Sequence, residues 1–575
     1  MPKRIPYGTA NYVELIQDNC YFVDKTDYIE KLERVKNPIF LRPRKFGKSL
    51  WCRILECYYN INQKEEFNYL FGETYIGQNP TGKQNSYIVL HLDFSTIDPT
   101  GTLDDIERHF NFVCNLKLGS MIDRAKSWLQ DKIIVDSNLS ATENLQRILD
   151  AIPFSTLPQL YVIIDEYDSF ANQLIKTNKD QLYKHLMADD SFFKTFFKTL
   201  KEGRKTGAIA NVFITGVLPI TMDDLASGFN VGSYLTLRPK FEAMLGFTQT
   251  EVDDLLDKVY QDYQIDSASR DEVGTVIKNH YDGYQFIKGS QNLIYNSTIL
   301  MYFLEKFCEY QAIPEHLTDL NLKTDLAWVR RLTASNSQKT EAFVNQLTLH
   351  NEIAYDDMLL VDKFNINQFF HESYFPVSFF FLGMLTRKDN FYLRLPNLNI
   401  HQIFVEYFNQ LNQIDVSTRY AEIMQTFINN PDLEQLFTGY WEQYISQFPE
   451  AIFQQVNENF YRTTFFELCS RHLSHWFTWN VERSYPQGKS DLEFVGKYHE
   501  KYAGLRWVIE FKYYSNAELK KKFKCTIEAF KLQTEDTEQI AGYVEGLLEE
   551  YPEAQIRQFV IYCFGNQGFR VFEIN

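Results

Sequence analysis

Four short apolar runs punctuate the first 220 residues: Ile39-Phe40-Leu41, Tyr87-Ile88-Val89-Leu90-His91-Leu92-Asp93-Phe94, Leu160-Tyr161-Val162-Ile163-Ile164 and Val212-Phe213-Ile214-Thr215-Gly216. Continuous runs of this kind suit strands buried on both faces of a parallel sheet. Helical-looking segments separate them, so residues 1–240 are predicted to form an α/β domain with helices on both faces. Thr248-Gln249-Thr250-Glu251 has a capping-box pattern and opens a helical stretch expected over 241–330. Residues 331–450 read as largely helical and aromatic, with breaks at Pro376, Pro396 and Pro431. A winged-helix element, a connector and a partner-binding module all fit that pattern. The run Phe375-Pro376-Val377-Ser378-Phe379-Phe380-Phe381 reads as core rather than as a membrane-binding surface. A second α/β domain is expected over 451–575: a helical segment around Phe465-Phe466-Glu467, a strand hairpin, a helix near 537–543 and two closing strands.

That hairpin carries chemistry. Side chains alternate along a strand, so Glu510 and Lys512 in Trp507-Val508-Ile509-Glu510-Phe511-Lys512 point the same way. Asp491 opens the preceding strand. Two carboxylates hold Mg²⁺, and a lysine beside them can orient the water that attacks a phosphodiester. Glu493 alternates with Asp491 and either faces the same site or is peripheral. His472 and His475 are three apart on a predicted helix, without the Cys/His partners of a zinc site, and read as surface or packing residues.

A second phosphate-handling segment lies near the N-terminus, in Arg42-Pro43-Arg44-Lys45-Phe46-Gly47-Lys48-Ser49. In a phosphate-binding loop, backbone N–H groups and a helix N-terminus cradle phosphates, the lysine reaches the outer phosphates and the hydroxyl binds Mg²⁺. Gly47, Lys48 and Ser49 supply that ending, but Arg42 occupies the position of the motif's first glycine. At the exit of the third apolar run, Asp165 would help place Mg²⁺ with Ser49, and Glu166 would act as general base. ATP or GTP is the expected ligand. The plainer alternative is a structural Lys and Ser at a helix start, with Asp165 and Glu166 as a helix cap. Thr215, at a strand end, would sense the γ-phosphate or make a turn contact. Arg238 is a candidate phosphate-reaching arginine.

Both segments, in this order and with these flanks, resemble the prokaryotic predicted AAA-ATPase-like proteins fused to a C-terminal PD-(D/E)xK nuclease-like domain. The N-terminal resemblance includes Pro6-Tyr7-Gly8, Tyr21-Phe22-Val23-Asp24-Lys25-Thr26, the arginine-containing loop, Asp165-Glu166-Tyr167-Asp168, Val212-Phe213-Ile214-Thr215-Gly216-Val217, Gly246-Phe247-Thr248 and Tyr281-Asp282-Gly283-Tyr284. The C-terminal resemblance covers about the last hundred residues. An arginine-containing loop is usual in that family, so the missing glycine does not count against it. The resemblance implies a P-loop ATPase core over 1–240, a helical lid over 241–330, a connector over 331–450 and a restriction-endonuclease-like domain over 451–575. It also implies that Glu467, on the first helix of the nuclease fold, completes the metal site. Gln539 and Tyr543, four apart on a later helix, would line that site, Gln539 holding a phosphate oxygen or the water.

Composition narrows the partners. The net charge of −17 argues against indiscriminate binding to nucleic acid, whose backbone is met mainly by Lys and Arg. A local basic groove remains compatible with it. Lys520, Lys521, Lys522 and Lys524 form the densest basic cluster and are either that groove or a solvated helix face. Eight cysteines without a CxxC pair, and an N-terminus without the apolar core of a signal peptide, suit reduced thiols and a cytoplasmic location. No apolar run is long enough for a bilayer, so no membrane partner is expected. The expected protein is therefore an ATPase controlling a Mg²⁺-dependent nuclease (Mn²⁺ serving at the nuclease site), acting on DNA ahead of RNA. Defence or genome maintenance would suit it, and an activator protein and oligomerisation stay open. The alternative is a nucleotide-dependent switch or scaffold whose nuclease-like domain binds without cutting. The presence together of Asp491, Glu510 and Lys512 favours cleavage.

Overall fold

A computed structural model describes residues 2–574 except 130–133, 153–157, 226–228, 318–327, 329–330, 333–336, 362–363, 417–419, 487 and 499. The expected end of the lid at residue 330 lies outside the described residues.

The N-terminal runs form a parallel sheet of β1 (Pro38–Leu41), β2 (Ile88–Asp93), β3 (Leu160–Asp165), β4 (Ile209–Gly216) and β5 (Ser233–Tyr234), in the order β2-β3-β4-β1-β5. β1 and β3 are buried at every position, which requires cover on both faces. The helix Lys48–Tyr59 packs on β2 and β3, and the helix Phe192–Thr206 packs on β4. This order places β4 between the strand feeding the phosphate loop and the strand ending in acids.

The helix Gln249–Tyr263 starts with the capping box anticipated from Thr248 and Glu251, and Glu251 also pairs with Lys25 of the N-terminal segment at 2.6 Å. Arg270–Tyr281 and Ser297–Tyr310 complete this helical unit. Gly283 lies between them at φ +101°, where an added Cβ would stand 2.0 Å from the Pro396 carbonyl oxygen. Only glycine fits both constraints.

The middle region contains a small antiparallel sheet, β6 (Glu352–Ala354), β7 (Thr386–Arg387) and β8 (Tyr392–Arg394), in the order β6-β8-β7. Helix, strand, helices and hairpin follow one another as in a winged helix. The helix Phe375–Phe381 is buried along its whole length, as core, and offers no face to a nucleic-acid groove. The unit instead packs on the N-terminal half: Arg387 donates to the Phe286 carbonyl (3.2 Å), and Gly383 abuts Pro43 of the loop at residues 42–49. No described helix is long and apolar enough to cross a membrane.

The C-terminal sheet comprises β9 (Phe477–Tyr485), β10 (Gly488–Gly496), β11 (Leu505–Tyr514), β12 (Gln555–Phe564) and β13 (Gly568–Ile574), in the order β13-β12-β11-β10-β9. β11 and β12 are parallel, joined through the helix Thr534–Glu550; the other pairs are antiparallel. The alternation along β11 is clean. Trp507, Ile509 and Phe511 enter the main core, whereas Val508 joins Ile540, Tyr543 and Leu547 of the helix Thr534–Glu550. Phe427 packs on Trp507 and Phe437 on Phe511, so helices preceding residue 451 cover one face of this sheet.

Two candidate active sites

The phosphate loop turns on two left-handed residues, Lys45 (φ 71°) and Gly47 (φ 87°), and the helix begins at Lys48. The Lys48 amine is folded back, donating to the carbonyls of Arg42 and Pro43 at 3.2 Å, and lies 3.6 Å from Glu166 Oε1. Ser49 donates its hydroxyl to Asp165. Burial raises the Asp165 pKa, and the neighbouring charge of Glu166 adds to it against the Ser49 bond. Glu166 holds a positive φ of 49°, an uncommon conformation for glutamate, and its side chain faces a cavity of about 450 Å³. Residues 44–49 meet there with Pro6, Gly8, Phe22, Val23 and Gly246, so the N-terminal motifs and the loop converge on one space.

Arg42 explains the missing glycine. Fully buried, it donates to the carbonyls of Thr236 (2.9 Å) and Glu242 (3.1 Å) and lies over the rings of Phe40 and Phe286. It braces the loop from behind instead of facing the cavity. The lid grips the loop as well: Asn296 donates to the Arg44 carbonyl (3.2 Å) and Thr298 N–H to the Lys45 carbonyl (3.0 Å). Thr215 is buried and spends its hydroxyl proton on the Phe40 carbonyl at 2.7 Å, a strand-to-strand contact. Arg238 is exposed and does not line the cavity. Asp168, two residues beyond Glu166, accepts from Leu218 N–H (2.7 Å) and Asn172 (2.6 Å).

In the C-terminal domain, Glu510, Lys512 and Gln539 form a closed set. Lys512 Nζ donates to Glu510 Oε1 (2.9 Å) and Gln539 Oε1 (3.1 Å), and Gln539 Nε2 donates to Glu510 Oε1 and the Tyr543 hydroxyl, each at 2.7 Å. Asp491 Oδ2 accepts from Phe511 N–H at 2.7 Å. Its other oxygen accepts from Arg462 Nη1 at 3.1 Å, and Arg462 also pairs with Glu482 at 2.6 Å. Burial, then the charge of Asp491, pushes the Glu510 pKa up to about 7. Glu510 Oε2 is buried and has no hydrogen-bond partner among the described residues.

The helix Glu458–Leu473 carries Glu458, an exposed acid, in its first turn. Partial desolvation raises the Glu458 pKa, and the charge of Asp491 adds to it against that of Lys512. Glu467 is not brought to the Glu510 set: it is buried against Arg471, its partner one turn on. Nine residues separate Glu458 from Glu467, about half a turn beyond two full turns, so they face opposite ways. Glu493 is peripheral to the Glu510 set, held by Ser490 (2.7 Å), Asn480 (2.9 Å) and Tyr485. His472 packs on Tyr420, and His475 packs on Trp476 near Glu500, so the two histidines do not converge. Lys520, Lys521, Lys522 and Lys524 are exposed just beyond β11, with Lys522 Nζ 5.4 Å from the Tyr514 ring centre.

Residues 6–226 match the model of a family described as predicted AAA-ATPase, and residues 456–573 match that of the PD-(D/E)XK nuclease superfamily. No curated protein and no solved structure matches the chain.

Proposed function

We propose that this chain, which joins an AAA-ATPase-like domain to a PD-(D/E)xK nuclease domain, hydrolyses ATP at the first site and thereby controls phosphodiester cleavage in nucleic acid, DNA ahead of RNA, at the second. The observation that carries this reading is the meeting of Asp491, Glu510, Lys512 and Gln539 from two strands and a helix. The buried, partnerless Glu510 Oε2 is a donor atom that suits a divalent cation, so Asp491 and Glu510 would hold Mg²⁺ or Mn²⁺. When bound, the cation neutralises charge on the scissile phosphate and acidifies water. Lys512 and Gln539 would orient the water. The exposed lysines at 520–524 would carry the backbone of the substrate past it.

At the N-terminal site the cavity, the left-handed Gly47 and the pairing of the Ser49 hydroxyl with the Asp165 carboxylate suit a nucleotide with Mg²⁺. Lys48 would leave the loop carbonyls for the outer phosphates. Glu166 would take a proton from the attacking water.

A second reading has its own observation. Arg462 already sits on Asp491, and a guanidinium there opposes a divalent cation. That contact favours a domain that binds without cutting until Arg462 is withdrawn.

The test is to incubate the full chain with single- and double-stranded DNA and RNA, with Mg²⁺ or Mn²⁺, with and without ATP. Cleavage that EDTA abolishes, that Asp491→Ala removes and that Lys48→Ala uncouples from ATP is the expected result. Nucleic-acid binding without cleavage under every condition, unchanged by Asp491→Ala, Glu510→Ala and Lys512→Ala, would establish the second reading instead.

A further inference from the structure

Behind the phosphate loop, three side chains of unlike chemistry converge. Ser49, Cys52 and Glu56 lie at i, i+3 and i+7 along one stripe of the helix Lys48–Tyr59, which packs on β2 and β3. From β2 comes His91; from the end of β3 comes Asp165. One ligand atom from each of Cys52, His91 and Asp165 can be chosen so that all lie within 4.8 Å of one another.

The histidine is already arranged as a ligand. Its Nδ1 is 2.8 Å from Glu56 Oε2, and Glu56 is in turn fixed by Arg53 at 2.6 Å. A carboxylate on Nδ1 accepts its proton and leaves Nε2 with a free lone pair. The His91 side chain is nine-tenths buried, and its Nε2 has no hydrogen-bond partner among the described residues. Cys52 is wholly buried and unpaired as a disulfide. A buried imidazole nitrogen without a partner carries a cost that a bound cation would remove.

We propose that Cys52, His91 and Asp165 form a site for a thiophilic divalent cation, Zn²⁺ or Co²⁺ by chemical class, with Glu56 as the positioning residue for His91. A thiolate, an imidazole and a carboxylate are the donor set that tetrahedral zinc accepts, with bonds of about 2.0–2.3 Å and a fourth position left over. Forming the site replaces the Cys52 S–H bond by an S–metal bond and releases one proton to solvent. Mg²⁺ avoids sulfur, so this site discriminates between the two ions. It shares Asp165 with the Mg²⁺ position of the proposed ATPase. A thiophilic ion there would draw Asp165 away from nucleotide-bound Mg²⁺ and slow hydrolysis, a consequence that rests on the ATPase reading, whereas the site does not.

The test uses the full chain and Co²⁺ alone. The intact protein should show a near-ultraviolet thiolate-to-Co²⁺ charge-transfer band that Zn²⁺ displaces, with one proton released per ion. Cys52→Ser should abolish the band; Cys114→Ser, a buried cysteine elsewhere, should keep it. Glu56→Gln and His91→Gln should weaken Co²⁺ binding by about 10–100-fold, and these carry the test if Cys52→Ser does not fold. A band that survives in Cys52→Ser, or no band in the intact protein at several hundred micromolar Co²⁺, overturns the proposal. If the band behaves as expected but no ATP is hydrolysed with or without Zn²⁺, the ATPase reading fails and the metal site stands.

Discussion

At the N-terminal centre, Asp165 is buried at the strand end, Glu166 beside it faces a cavity, and the cation next to Glu166, Lys48, is held by loop carbonyls at 3.2 Å. At the C-terminal centre, Asp491 and Glu510 are buried within a packed sheet, and each already has its cation, Arg462 and Lys512 respectively. The first centre stores its positive charge on the loop and can deliver it to an incoming phosphate by one side-chain movement. The second has internal compensation, because a pair of buried carboxylates without it would carry a large desolvation cost. Under the proposed function, the first site can stand ready for a nucleotide, while the second must exchange a protein cation for a metal before it cuts. That difference gives a physical reason for placing control at one site and restraint at the other.

The sharpest break in this comparison comes from removing a carboxylate. Asp491→Ala or Glu510→Ala should reduce cleavage by about 10²-fold or more, since the cation loses a ligand. ATP turnover should stay unaltered, and paired cleavage and hydrolysis rates check both halves. The mirror experiment acts on the first centre. Lys48→Ala should weaken nucleotide binding, and Glu166→Gln should keep binding while slowing turnover by roughly 10²-fold. Unchanged turnover in both variants would remove the ATPase reading.

The seam between the centres responds to acid. Burial lowers the pKa of His280, bonded to Asn399, and of His401, near Glu482 and Arg462, each to about 4. The folded protein therefore keeps both neutral where the unfolded chain would protonate them. Their contribution is intact above the ordinary value near 6.5, shrinks as pH falls, and is fully lost below about 4. Between pH 7 and 5 the loss should be about 2 kcal/mol per histidine. Urea midpoints across that range should show it, and His280→Gln with His401→Gln should flatten the slope.

The smallest expected effect separates two acids of one helix. Glu458→Gln should lower cleavage by roughly 10-fold at most, because it removes an exposed negative charge that acts on Asp491. Glu467→Gln should leave cleavage near the parent rate yet lower the melting temperature, since it weakens a buried partner of Arg471 by about 1–3 kcal/mol. The reverse pattern would move the helix's functional acid from Glu458 to Glu467.

Much of both centres was legible along the chain because their chemistry is local. Gly47-Lys48-Ser49, Asp165-Glu166 and the two-residue step from Glu510 to Lys512 each lie within one element, and strand periodicity alone orients the last pair. Gln539 and Tyr543 share a helix face for the same reason, and both reach the site. Which way Glu467 turns on the preceding helix was not legible. That helix is buried on nearly every side from Phe460 to Ser470, so it carries no polar stripe to show which face meets the sheet. Arg42 and Arg462 were equally hidden, their partners lying about 200 and 29 residues away. Local spacing therefore determined the strands, the phosphate loop and the acid–lysine pair. Only the tertiary structure decided that Glu467 turns to Arg471 instead of joining them, that Arg42 braces the loop, that Arg462 restrains Asp491, and that Cys52, His91 and Asp165 meet. Those outcomes depend on which buried charges and donors find partners across the fold, and spacing along one element carries no record of that.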